Sequence, residues 1–148
     1  MYSLDDLDVT KACEQQYEFE VRDESTGKGI GLFLTVIGGH AERITEFTKK
    51  SLNDRRMAEA MAAKRDPRGK EVRIVPIEED LQFSTELVAM RIVGWRGIKE
   101  QYTPEGAVKL CTINPLIKEQ VLAASDNLKN FPMTFSVSSP STSASLPG

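Results

Sequence analysis

A chain of 148 residues fits a single core, because domains commonly run to about 100–200 residues, and its 40% hydrophobic and 28% charged content is ordinary for a globular protein. A net charge of −3 is too weak to mark a nucleic-acid or membrane partner by itself. Cys13 and Cys111 lack paired or metal-type spacing, which argues against a disulfide framework and for a reducing compartment.

In chain order, residues 1–15 are acidic and irregular, with Ser3 or Asp5 able to cap a short turn, and a loose N-terminus is expected. Tyr17-Glu18-Phe19-Glu20-Val21-Arg22 alternates apolar and charged side chains, the period of a strand with one dry face. Asp23 to Gly29 supplies a turn, and the more uniformly apolar Ile30 to Ile37 returns as a second strand. A lone hairpin is marginally stable in water, so this one must pack on helices or pair with a further strand, from its own chain or a neighbouring subunit.

Gly38-Gly39-His40 breaks the strand, and from Ala41 the spacing becomes helical. Ile44, Phe47, Thr48, Leu52, Met57 and Met61 read as a thin apolar stripe, while Lys49, Lys50, Arg55, Arg56, Lys64 and Arg65 crowd the other faces. Asp66-Pro67-Arg68-Gly69 ends that helix, since proline and glycine so close together do not continue one. Val72 to Ile77, interrupted by Pro76, is at best an edge strand or connector. A helix then starts at Asp80 or Ser84 and runs through Leu81, Thr85, Val88, Ala89 and Ile92 to about Gly94. Two short helices follow, each opened by a cap and a proline: Thr103-Pro104-Glu105 and Asn114-Pro115. Residues 132–148 hold six serines, three prolines and no charged side chain, a composition expected to remain disordered. The predicted organisation is α+β: a hairpin packed on about four helices over residues 1–131, then a Ser/Pro-rich tail.

The pattern is poor in chemistry. His40 is the sole histidine, and the glycines spell no phosphate loop. Glu78-Glu79-Asp80 suit the positive end of a helix dipole better than a metal site. No enzyme, cofactor or metal is expected. The chain opens without a charged-then-apolar leader and holds no run near the roughly 18 apolar residues of a spanning helix, so a soluble intracellular protein is expected.

Charge is divided, however. From Asp5 to Glu24 eight acids face two bases, whereas from Lys49 to Arg73 nine bases face four acids. The basic stretch lacks the aromatic residues of a nucleic-acid groove, which favours an acidic protein surface, including the N-terminal region of a second copy. A head-to-tail contact of that kind joins unlike surfaces and builds rings or open helices. The rival reading is a small DNA-associated protein using Lys49 to Arg73.

Taken in order, the Tyr17–Ile37 hairpin, the basic helix, Val93-Gly94-Trp95-Arg96-Gly97-Ile98, Tyr102-Thr103-Pro104-Glu105, Asn114-Pro115-Leu116-Ile117 and a final helix closing at Phe131 resemble the tail assembly chaperones of long, non-contractile-tailed bacteriophages. The resemblance spans about residues 17–131 and implies a protein that binds and solubilises the tape-measure protein and recruits tail-tube subunits in the host cytoplasm, leaving before the virion is complete. It also implies a short form, a frameshifted long form and self-association. A structural tail component retained in the virion is a further alternative. The candidate recognition surface comprises Lys49, Lys50, Arg55, Arg56, Met57, Met61, Lys64, Arg65, Trp95 and Tyr102, although Trp95 and Tyr102 read first as one corner of a core, and Met57, Met61 and Met90 read first as core fillers and only in the alternative as adaptable groove contacts.

Overall fold

The computed structural model describes residues 1–65 and 77–133. Asp66-Pro67-Arg68-Gly69, the connector up to Pro76 and the tail beyond Met133 lie outside the described residues.

The fold is α+β. Its first helix was not expected. A 3-10 turn at Asp5–Leu7 leads into α1, Val9–Cys13. Asp8 caps α1 by accepting from the Thr10 N–H at 2.9 Å. Ala12 and Cys13 are buried, and the Cys13 carbonyl accepts from the Gly38 N–H at 2.8 Å. The irregular sequence hid an anchored segment because only two of its residues reach the interior.

The hairpin forms as predicted from β1, Tyr17–Arg22, and β2, Gly29–Val36. Tyr17 pairs with Val36 and Glu20 with Phe33. Its alternation serves burial directly: Val21, Leu32, Leu34 and Val36 enter the core while Glu18, Glu20 and Arg22 stay exposed.

The hairpin is also part of a larger sheet. Residues Ile92–Arg96, expected at the end of a helix, form β3, antiparallel to β2, giving the order β1-β2-β3. Leu34 pairs with Trp95 and Phe33 with Arg96. The helical spacing of Val88 and Ile92 masked a run whose Ile92, Val93 and Trp95 favour strand. Gly97 closes β3 at φ +95°, and a Cβ there would meet the Gly31 carbonyl oxygen at 2.4 Å. A side chain is excluded at that crossing by both dihedral and space.

The long basic helix, α2, spans Glu42–Arg65, and α3 spans Ile77–Ala89, beginning earlier than Asp80 or Ser84. The capped pair is α4, Pro104–Ile113, and α5, Pro115–Asp126. Thr103 accepts from the Gly106 N–H at 2.9 Å. Asn114 accepts from the Leu116 and Ile117 N–H groups at 3.1 and 3.2 Å. Both starts lie where the proline signal placed them.

The main core lies between the sheet and the helices, with Leu34, Val36 and Ile92 meeting Val88, Ala107, Ile117, Val121 and Phe131. A smaller cluster joins Cys13, Ile37, Ala41 and Ile44 to Leu87 and Met90. Met90 is therefore a core filler, not a surface contact.

Candidate interaction surface

Helix α2 is long because its interior holds neither proline nor glycine, and its 24 residues extend about 36 Å. Its base is fixed: the Glu42 N–H donates to the Glu14 carboxylate at 3.1 Å, and Ile44 is buried in the smaller cluster. Beyond Ile44, no described α2 side chain is buried.

The predicted apolar stripe holds only through Thr48. Phe47 stacks on Phe83 of α3 at 5.9 Å between ring centroids, and the half-buried positions continue as Ser51, Arg55, Ala58 and Ala62. Leu52, Met57 and Met61 leave this line and are exposed. The cause is spacing: a 3.6-residue turn carries Ser51, Arg55, Ala58 and Ala62 along the Ile44 row, and five residues from Leu52 to Met57 rotate off it.

The basic residues divide accordingly. Arg55 faces α3, its guanidinium 5.2 Å above the Phe83 ring and donating to the Asp80 carboxylate at 3.0 Å. Lys49 lies 3.9 Å from Glu46 in an exposed pair of little energetic weight. Lys50, Arg56 and Lys64 are exposed. Arg65 ends the helix. Lys50, Asp54, Met57, Met61 and Lys64 follow i, i+4, i+7, i+11, i+14 spacing, which aligns them along one helix face. Met57 and Met61 are 66% and 59% exposed on that face, with a lysine beyond each.

Trp95 and Tyr102 belong elsewhere. Their rings meet edge to face at 5.2 Å, the Trp95 indole donates to the Glu100 carbonyl at 2.9 Å, and the Tyr102 hydroxyl donates to the Ile92 carbonyl at 2.7 Å. Both pack against the main core and satisfy the corner between β3 and α4. Of the ten candidate residues, Lys50, Met57, Met61 and Lys64 thus share an exposed helix face, Arg55 packs on α3, and Trp95 and Tyr102 form a structural corner.

Much of the expected acidic N-terminal surface is already engaged. Asp8 caps α1, Glu14 holds the base of α2, and Glu18 accepts from two of the three Arg96 side-chain nitrogens at 3.0 Å each. The Arg96 guanidinium also covers Phe33 at 3.8 Å from its ring centroid, and its hydrogen bond holds the Glu18 carboxyl below the ordinary value of 4.5.

A polar cluster of two buried residues and one exposed carboxylate escaped sequence reasoning. Arg91, 9% exposed, donates to Asp126 at 2.5 Å and to the Ser125 hydroxyl at 3.4 Å, and Ser125 donates to the Ile37 carbonyl at 2.7 Å. The buried Arg91 Nε has no hydrogen-bond partner among the described residues. No periodicity marks these residues, since their contacts join segments far apart in sequence.

Among the described residues, no group of three or more histidine, cysteine or acidic side chains is arranged to hold a metal ion, and no helix is long and apolar enough to cross a membrane. His40 is exposed in the turn before α2. Cys13 and Cys111 are free and buried, and burial pushes the Cys111 thiol up to about 11. No family model, curated protein or solved structure matches this chain. The α2 face is the feature best suited to recognition: cationic ends, a thioether centre and little intramolecular cover.

Proposed function

We propose that this protein is a phage tail assembly chaperone that binds and solubilises the tape-measure protein and recruits tail-tube subunits, acting in the host cytoplasm and leaving before the virion is complete. The observation that carries the reading is the α2 face, where Met57 and Met61 stand exposed between Lys50 and Lys64. Methionine adapts to irregular apolar partners, and an amphipathic helix laid along this face would bury its apolar stripe on the thioethers and set acidic flanks against the lysines. The order of motifs from Tyr17 to Phe131 supports the same assignment by resemblance.

Self-association belongs to the proposal. A separate frameshifted long form belongs to it as well and is tested at the gene, by a slippery codon run near the codons for residues 132–148.

The protein-level test is co-expression with a tape-measure fragment. The fragment is expected in the soluble fraction with the wild-type chain and in the pellet with a Met57→Asp/Met61→Asp variant. Equal precipitation with and without this protein rejects the reading. Salt-dependent DNA retardation in its place favours the DNA-associated rival, because phosphate contacts weaken steeply with salt. Recovery from purified virions favours a retained tail component.

A further inference from the structure

Among the described residues, strand β1 is an edge of the sheet, paired only with β2. Every second residue along it directs its N–H and C=O away from β2. At Arg22 those groups are satisfied: its N–H donates to Gln120 Oε1 at 2.9 Å and its carbonyl accepts from Gln120 Nε2 at 2.8 Å. One side-chain amide thus makes the two bonds that a neighbouring strand would make. Among the described residues, no other side chain bonds to the β1 backbone. From there toward Tyr17 the edge borders an open groove of about 630 Å³, with Ala123, Ala124, Asn127 and Asn130 on its other wall. Small and amide side chains leave that wall low and able to hydrogen-bond an extended chain.

The sequence contains a segment of matching period. Between Pro132 and Pro140 the residues are Met133-Thr134-Phe135-Ser136-Val137-Ser138-Ser139, in which Met133, Phe135 and Val137 alternate with hydroxyl side chains as a strand requires. The segment carries no charge to oppose Glu18 or Glu20, and proline at both ends bounds a strand.

The path of the chain selects which copy supplies it. Asn130 lies in the groove, Phe131 packs edge-on against Tyr17 at 6.3 Å, the Pro132 carbonyl accepts from the Gln15 side chain at 2.8 Å, and Met133 lies beside Asp8 and Ala12 of the α1 region. Tyr17 still borders the groove, and from Pro132 onward the chain lies on the α1 side of it. Thr134 and Phe135, the next residues in sequence, are not among the favoured turn formers, which argues against a return onto the same copy's β1. We propose that residues 133–139 of one copy add as a strand to the open edge of β1 in a second copy. This surface is independent of the α2 face, so either assignment can fail alone.

The test is amide hydrogen exchange on the full-length chain, read over Tyr17–Glu20 at low and high protein concentration and paired with solution mass. The outward β1 amides are expected to exchange at least ten times more slowly at high concentration, in step with association. Ser136→Pro and, separately, Phe135→Asp are expected to abolish that difference while leaving Leu34 and Val36 protected as in the wild type. A synthetic peptide of residues 132–140 added to the Phe135→Asp chain is expected to restore protection, and a scrambled peptide is not. Protection independent of concentration overturns exchange between copies, and β1 amides equally fast in wild type and both variants overturn the added strand altogether.

Discussion

Gly94 and Gly97 stand three residues apart around β3, and alanine should have opposite effects at the two sites. At Gly97 the backbone has φ +95°, and a Cβ would sit 2.4 Å from the Gly31 oxygen and 3.2 Å from the Leu32 Cα. The left-handed conformation costs a non-glycine residue about 1–2 kcal/mol, and a collision with backbone adds about 1–3 kcal/mol of overpacking. Lower entropy in the unfolded chain returns about 0.4–1 kcal/mol. Gly97→Ala is therefore expected to lose about 1–4.5 kcal/mol, a fall in Tm of roughly 3–15 °C for a chain of this length. At Gly94 an added Cβ meets nothing within 4 Å, so Gly94→Ala should be neutral or gain up to about 1 kcal/mol. Urea unfolding followed by circular dichroism gives both values without relying on the neighbouring Trp95. A Gly97→Ala chain within about 0.5 kcal/mol of wild type would refute the close crossing of β2 and β3.

Other consequences follow from single side chains. Asn114→Ala removes the acceptor for two amides at the start of α5 and should cost about 1 kcal/mol, rising to about 2, whereas Asn114→Asp should retain most of the cap; denaturant midpoints compare them. The carboxyl of Glu18 titrates below its ordinary 4.5 in the folded state because Arg96 hydrogen-bonds it. Its contribution is thus complete above that ordinary value and disappears as pH falls through the lower folded one. Urea midpoints measured from about pH 6 down to pH 3 should fall less steeply for Glu18→Gln than for wild type, and parallel slopes would remove Glu18 from the acid response.

What the sequence disclosed was local. Alternation across Tyr17–Arg22 and the cap-proline pairs at Thr103 and Asn114 locate elements because each is specified by neighbours a few residues away. Helix α1 and strand β3 escaped for complementary reasons. The first is held by Cys13 and Glu14 contacts to residues beyond the hairpin, and the second shares its apolar residues with a plausible extension of α3. The basic stretch was legible as charge, but its division was not: Arg55 is matched by Asp80 and Phe83, which lie on another helix, whereas Lys50 and Lys64 remain beside the methionines. Trp95 and Tyr102 read from the sequence as one corner of a core, and in the structure their polar atoms are bonded to carbonyls at the β3 corner.

The cluster of Arg91, Ser125 and Asp126 also imposes an order on synthesis. The Ser125 hydroxyl donates to the carbonyl of Ile37, just before the turn into α2, so that bond waits for residues made about ninety positions later. On a ribosome that adds roughly 5–20 residues per second, all of α2 is made seconds before this bond can form, whereas the Glu14 contact to its first residue is available as soon as Glu42 is made. The turn into α2 is therefore closed from one side early and from the other only when α5 is complete.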